Sequence, residues 1–556
     1  MRWIVWALVA VLFISACQIN NSSGEMEVEG VPISLQTAVY NEQQCAGKFI
    51  SHELNHITKN AVEPIDMYDS NGAGLAINDL DNDGDLDIVL ANLAGENSLF
   101  WNEGGLQFTQ QNFPHGSSRA VSILDLNNDG FNDIVFTMRI GRPLLWQHTG
   151  ESSNFPFDRT SLEGVEEYAY AINWGDLDQD GDLDIVTGSY DTSLEKELRD
   201  TFMFGPGAGV FIFTNEDGTF TSERLAETSQ ALAIQLLDIN QDGLKDILVG
   251  NDFITVRDNY WLAKTDGSWE TAEPFNTTTE NTMSYDIGDV NNDGMMELFA
   301  ADMHPFADDE ETNAAWTPVM ELMMAAHTPV EGDPQIMANV LQVRDSSGQF
   351  INSAPNMGVD ATGWSWSTKF GDLDHDGFLD LYSVNGMASF ETFGHLPNYT
   401  LVEENQALKN DGSGNFHAMP EWGLNKTAGG RGMSMGDLDN DGDLDIVVNN
   451  LLDKAYVLEN QLCGGASLEV DLQWLDSQNI AAIGATISLI TEETTLVRDV
   501  RVNSGYLSGD PSRIHFGFPA DSQLQSLVIE WPDGETTAIH GIEANQIIQI
   551  ERDSES

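Results

Sequence analysis

Followed from one end to the other, the chain repeats one short hydrophobic pattern seven times. A small residue is followed three positions later by an apolar one, then by a polar interval, then by a run rich in β-branched side chains. The small residues are Gly74, Ala120, Ala171, Ala233, Ser284, Ser367 and Gly432, and the apolar ones are Ile77, Ile123, Trp174, Leu236, Ile287, Phe370 and Met435. An offset of three puts the two on opposite faces of an extended strand, the small one where neighbouring strands crowd and the apolar one between sheets. The runs after the interval, such as Ile88-Val89-Leu90, Ile134-Val135-Phe136 and Ile247-Leu248-Val249, read as strands. Strand, tight loop, strand is therefore the repeating unit.

The polar intervals begin 46, 51, 62, 51, 83 and 65 residues apart, a period suited to one four-stranded sheet with insertions. Inner strands set round a common axis would produce the pattern, so the expected fold is an all-β, seven-bladed β-propeller over residues 48–463. The widest spacing holds an insertion at about residues 303–338, where the Ala, Met and Leu content of Val319 to Ala326 suggests a helix. From 466 to 552, short strands alternate with Gly, Asn, Asp and Pro turns, predicting a small β-sandwich or barrel as a second domain.

Each interval is a nine-residue loop of the form Asp-x-Asp/Asn-x-Asp-Gly-x-x-Asp/Glu. Positions one, three, five and nine are Asp79, Asp81, Asp83 and Asp87 in the first copy; Asp125, Asn127, Asp129 and Asp133 in the second; and Asp176, Asp178, Asp180 and Asp184 in the third. The fourth has Asp238, Asn240, Asp242 and Asp246; the fifth Asp289, Asn291, Asp293 and Glu297. The sixth has Asp372, Asp374, Asp376 and Asp380, and the seventh Asp437, Asp439, Asp441 and Asp445. A hard cation such as Ca²⁺ takes six to eight oxygens, and a tight turn can gather these positions round one point. Position six is Gly in every copy, as a turn with φ > 0 requires. The EF-hand is excluded, because it needs a Glu at position twelve and flanking helices, whereas these loops have Leu90, Phe136, Thr187, Val249, Ala300, Ser383 and Val448 there. The expected cofactor is up to seven Ca²⁺, held best by the first, third, sixth and seventh loops, which have Asp at position three.

Composition narrows the partners. Lys+Arg 23 against Asp+Glu 90, a formal charge of -67, repels nucleic acid and anionic lipid surfaces and attracts cations. A hydrophobic content of 41% excludes disorder as the general state. The apolar run from Trp3 to Ile14 fits the core of a signal peptide, residues 1–16, and is too short to span a bilayer. It ends in Ile14-Ser15-Ala16-Cys17, which resembles the bacterial lipobox. That resemblance implies a lipid on Cys17, a linker over residues 17–47, and a place at the outer membrane or cell surface, with a periplasmic or secreted protein as the alternative. Cys45 and Cys463 flank the propeller; ring closure would bring them together as a disulfide, the alternative being two unrelated thiols.

Strand, acidic loop and strand repeated seven times resemble the FG-GAP repeats of integrin α-chain propellers and their bacterial relatives. Asn503-Ser504-Gly505-Tyr506-Leu507-Ser508, Ile514-His515-Phe516-Gly517 and Val528-Ile529-Glu530-Trp531-Pro532-Asp533-Gly534 resemble the ASPIC/UnbV module of cartilage acidic protein and bacterial homologues. The resemblance implies fold and family and little about biochemical role.

Two motifs suggest catalysis. His52-Glu53-Leu54-Asn55-His56 matches the zincin HExxH, but it lacks helical periodicity and a third-ligand motif. Gly432-Met433-Ser434-Met435-Gly436 matches GxSxG, but it leads into the seventh loop rather than a helix. With no catalytic group assigned, the expected function is a non-catalytic binding or adhesion protein for a glycan or protein ligand; the alternative is a polysaccharide-active or other extracytoplasmic enzyme. The expected ligand face is the rim opposite the loops. There Arg119, Tyr168, Tyr170, Trp364, Trp366 and Arg431 enter the inner strands, and Asn92, Asn251, His304, Asn385 and Asn450 leave the next ones.

Overall fold

The computed structural model describes residues 26–151, 153, 155–199, 208–216, 218–253, 256–326 and 332–552. Each inner strand of the repeat pairs antiparallel with the strand after its loop, as Ile77 does with Ile88 and Trp174 with Ile185. Two more strands complete each blade, and seven such units of four strands form among the described residues, the first lengthened by the hairpin Asn503–Ser504 and Ser508–Gly509 and the sixth by Met303–His304. The first is Leu75–Asn78, Asp87–Leu90, Glu96–Asn102 and Phe108–Gly116, in chain order. The last takes Gly430–Gly436, Asp445–Asn450 and Lys454–Glu459 from one end of the propeller and Ile50–Ile57 from the other. This shared sheet closes the ring, and Gly432 N donates to Ala73 O (3.0 Å) across the seam to the first blade. Just outside it, Cys45 and Cys463 are joined by a disulfide spanning 418 residues.

The insertion between the second and third strands of the fifth blade folds as helix Glu310–Ala326, which starts nine residues before the apolar run that suggested it. It lies on the rim away from the loops, where Trp316 Nε1 donates to Glu403 (2.9 Å).

The second domain has two sheets, and both ends of the chain build it. Glu27–Gly30 pairs with Thr536–His540 at the edge of one, and Ile33–Val39 with Gln546–Arg552 at the edge of the other. The expectation of a linker over residues 17–47 is corrected here, at least over 27–39. Alternation in this stretch is confined to Ile33 and Leu35, too short to announce a strand, and pairing with a distant edge supplies what local pattern does not. Residues 40–43 then cross the seventh loop, Asn41 N donating to Asn440 O (2.7 Å) and Gln43 Nε2 to Asp443 (2.8 Å). Cys17 lies outside the described residues.

The domain is threaded into the ring. Its hairpin Asn503–Ser504 and Ser508–Gly509 enters the axial channel from the loop end and adds to the inner strand of the first blade in parallel, Leu75 opposite Ser508. Gly505 bridges to Tyr285 of the fifth blade. Here the small residues of the repeat find their reason: a Cβ on Gly74 would lie 2.2 Å from Leu507 O and 2.3 Å from Arg119 O. Crowding at these positions comes from the hairpin as well as from neighbouring strands. Below the tip, buried Lys369 donates to Ser504 Oγ (2.8 Å) and pairs with Asp510, while Arg501 pairs with Asp286 (2.9 Å) and Asp510 (3.2 Å). Each charge is matched, which burial demands.

At the tip Tyr506 is fully buried, its hydroxyl 2.8 Å from that of Tyr170 and its ring 4.9 Å from Trp366. Removing it empties the middle of the channel. Tyr506→Ala is expected to destabilise the protein by about 3 kcal/mol or more, the range of large-to-small core changes, and to expose the second domain to limited proteolysis first. Unchanged melting and proteolysis would show that the hairpin does not hold the domains together.

Candidate metal centres and the opposite rim

The nine-residue loops share one geometry. Position six is left-handed in all seven, with φ between 84 and 96°, and so is position four: Asn82, Asn128, Gln179, Gln241, Asn292, His375 and Asn440 have φ of 55 to 62°. Asn and His are the non-glycine residues that tolerate this region best. The two turns fold the loop so that the position-six N–H donates to the position-one carboxylate, at 2.7 to 3.1 Å in every copy. The position-nine carboxylate accepts from the backbone N–H of position two, again in every copy. In six copies its other oxygen accepts from a backbone N–H of the third strand.

Oxygens of positions one, three and nine lie within 4.8 Å of one another in the loops of Asp79, Asp176, Asp372 and Asp437. These are the four with Asp at position three. Asp79 Oδ1, Asp374 Oδ1 and Asp439 Oδ1 are buried without a hydrogen-bond partner. An all-oxygen donor set with buried, unpaired carboxylate oxygens suits a hard cation. Burial raises the carboxyls first, with neighbouring carboxylates adding to it: Asp79 and Asp176 to about 6, Asp372 to about 7, Asp184 to about 8. In the three loops with Asn127, Asn240 and Asn291, the position-three amide leans on its own loop instead, Asn127 and Asn240 donating to Asp129 and Asp242 (2.9 Å each) and Asn291 to Glu297 (3.2 Å).

The loops are linked to one another and capped. Asn82 donates to Gly130 O (2.7 Å), Asn292 to Gly377 O (2.9 Å) and Asn440 to Gly84 O (3.3 Å). The second domain sits on this end: Arg513 donates to Gly84 O (3.0 Å), Ser477 to Gly181 O (2.9 Å) and Ser467 to Gly442 O (2.5 Å).

The residues expected on the opposite rim are placed differently from the expectation. Arg119, Tyr170, Trp364, Trp366 and Arg431 are all buried, and Tyr168 is half-buried. Arg119 stacks over Tyr170 (4.7 Å) and Arg431 over Trp366 (4.3 Å), the two pairs flanking Tyr506. Residues 70 and 71 close the channel above them: Arg431 donates to Ser70 O (2.7 Å) and Arg119 to Asn71 O. Arg119, Tyr170, Trp366 and Arg431 plug the axis, because a hairpin absent from the repeat pattern fills the channel from the far end, whereas Trp364 packs against Trp316 (5.6 Å) and Phe393 (5.2 Å). The asparagines cap strand ends, Asn92 Oδ1 accepting from Gly95 N (2.7 Å) and Asn385 Nδ2 donating to Thr362 O (2.6 Å). His304 lies half-buried in the short strand Met303–His304.

Neither catalytic motif forms a site. His52 and His56 lie on strand Ile50–Ile57; His52 Nε2 is 2.6 Å from Glu459, and buried His56 is 2.8 Å from Ser98 Oγ. Ser434 is buried within strand Gly430–Gly436.

Sequence reasoning missed the third-strand residues that tie blades together. Asn102 donates to Leu438 O (2.6 Å), Asn410 to Val290 O (2.8 Å) and Asn460 to Leu373 O (2.9 Å), each reaching the loop of the preceding blade. For two of them a signal was present: in the first and sixth blades the third strand ends in Asn102 or Asn410, with a Gly two residues on and Phe108 or Phe416 opening the fourth strand, whereas Asn460 has no such pattern after it.

Residues 79–136, 125–187, 238–300 and 399–448 match the FG-GAP-like repeat, and residues 475–556 match ASPIC and UnbV. No curated protein matches the chain. Among solved structures, similarity extends to BBS1N in complex with ARL6DN (8% identity, 74% of this chain, 96% of that one, TM-score 0.39). It extends also to a rhamnogalacturonan lyase of Bacillus licheniformis (12%, 74% and 76%, TM-score 0.36) and a virginiamycin B lyase from Staphylococcus aureus (12%, 74% and 99%, TM-score 0.38). The fold itself rests on the blade topology, and with both families matched in the order their motifs appear, the chain is an FG-GAP-like repeat β-propeller protein with a C-terminal ASPIC and UnbV domain.

Proposed function

We propose that the protein is a calcium-stabilised binding module, held outside the cell by a lipid on Cys17, that takes a glycan or protein ligand on the rim away from its acidic loops. The observation that carries this is the seating of the second domain. It covers the loop end and fills the axis, so the exposed groove beyond the seam between the domains lies on the other rim. Helix Glu310–Ala326 and residues 395–405 border that groove, with exposed Phe306, Tyr399 and Val402 near or along it and Trp316 and Glu403 in its floor. Burial pushes the Glu403 carboxyl up to about 7, and it accepts from Trp364 N (2.7 Å) and Trp316 Nε1 (2.9 Å). Apolar edges over a few fixed polar groups suit ligand recognition.

Calcium is the cation proposed for the Asp-complete loops. Three carboxylates within 4.8 Å repel one another by roughly 1 to 4 kcal/mol per pair, and over several loops that approaches a domain's net stability of about 5 to 15 kcal/mol. Irregular oxygen sets favour Ca²⁺ over Mg²⁺, which demands near-ideal octahedra.

Three outcomes are expected. EDTA lowers the melting temperature and Ca²⁺ restores it more fully than Mg²⁺; a melt indifferent to chelation defeats the metal assignment. In EDTA, stability also falls as pH rises from 5.5 to 8.5. Asp79, Asp372 and Asp184 titrate near 6, 7 and 8 when folded against about 4 when unfolded, so the folded state holds extra protons that it loses across this window. Saturating calcium removes that slope; a flat profile in EDTA contradicts the burial of these groups. Finally, Phe306→Ser with Val402→Ser reduces binding to glycan panels or cell surfaces at least tenfold without moving the calcium-dependent melt. A glycan consumed over time rather than retained would make the scaffold an enzyme.

A further inference from the structure

The four Asp-complete loops differ in what the third strand of their own blade presents to them. In six blades one residue of that strand donates its backbone N–H to the position-nine carboxylate, and this fixes a common register. The residue just before it is Trp101, Gln147, Thr214, Leu262, Lys409 or Glu459. Only the sixth blade has a cation there. Lys409 Nζ pairs with Asp374, position three of the sixth loop, and lies 2.8 Å from Asp376, position five. At the same station in the seventh blade stands Glu459, a carboxylate rather than a cation, which lies 2.6 Å from His52 Nε2 and accepts from Gln461 Nε2 (2.6 Å).

We propose that the sixth loop is neutralised from within. The Lys409 ammonium supplies the positive charge that calcium supplies in the first, third and seventh loops, so this loop stays metal-free at calcium concentrations that fill those three. This rests on the calcium assignment above and departs from it at one loop: the sequence of the sixth loop is complete, but its blade does not fit a divalent ion. A tethered ammonium shared between Asp374 and Asp376 offsets one unit of the loop's negative charge at no cost in ion capture, and it repels an arriving Ca²⁺ at close range in a partly buried site. Lys is suited to the role as a compact point charge on a flexible stem.

Native mass spectrometry of the mature chain across graded free calcium counts the ions held. Lys409→Met is expected to hold one ion more than wild type at low calcium, with half-saturation of the sixth loop at least tenfold lower; Lys409→Arg keeps the wild-type number. Asp374→Asn in the otherwise native chain leaves the low-calcium count unchanged, whereas Asp439→Asn lowers it by one, so the proposal is tested even where Lys409→Met fails to fold. Equal counts for wild type and a folded Lys409→Met throughout the series, or the loss of an ion from Asp374→Asn at low calcium, overturns it. Chains that bind no calcium at any concentration, Lys409→Met included, defeat the calcium assignment itself, an outcome distinct from equal counts above zero.

Discussion

The ring depends on one carboxylate per blade. The acid at position nine is the first residue of the second strand, yet one of its oxygens takes the N–H just after the inner strand and the other, in six blades, takes an N–H from the third. Three strands are thus referenced to a single side chain buried at the sheet end. A buried anion in this position is costly unless its oxygens are satisfied, and the backbone donors satisfy them. Fixing three strands together brings positions one and three close to the same acid, so a cation-binding geometry follows from the way the blade is tied.

The second domain is part of the ring's construction rather than an appendage. Its hairpin lies along the first blade's inner strand, and its Ser504 and Asp510 meet Lys369 of the sixth blade. Blade-to-blade contacts leave a channel, and the small residues lining it are too small to fill that channel themselves. Tyr506, set among Tyr170, Trp366 and the stacked arginines, fills it. Arg119 and Arg431, which form no ion pair among the described residues, are met by aromatic faces and backbone carbonyls, an arrangement that tolerates burial because a guanidinium is weakly hydrated.

What was legible in the sequence is what repeats. Seven copies of a loop with Gly at position six and Asp or Asn at position three announce the strands on either side, the turn between, and the four loops where three carboxylates converge. What occurs once was not legible. The hairpin around Tyr506, the edge strand Ile33–Val39 and the closure by residues 70 and 71 each depend on a partner hundreds of residues away, and local alternation does not encode it. Arg119 and Trp366 illustrate the difference: their position on the inner strands was readable, but whether they faced solvent depended on a hairpin from another domain. Lys409 is a middle case, since its station on the third strand recurs while its charge does not.

Because Glu27–Gly30 and Ile33–Val39 each pair along a sheet edge with a segment near the far end of the chain, the first and the last described strands share the same small domain. A pull on the chain ahead of Glu27 therefore meets that domain before the propeller. The load falls first on the pairing of Glu27–Gly30 with Thr536–His540, then on that of Ile33–Val39 with Gln546–Arg552, and last on the disulfide and the strand that close the ring. Under tension these two edge strands would peel away before any blade is opened.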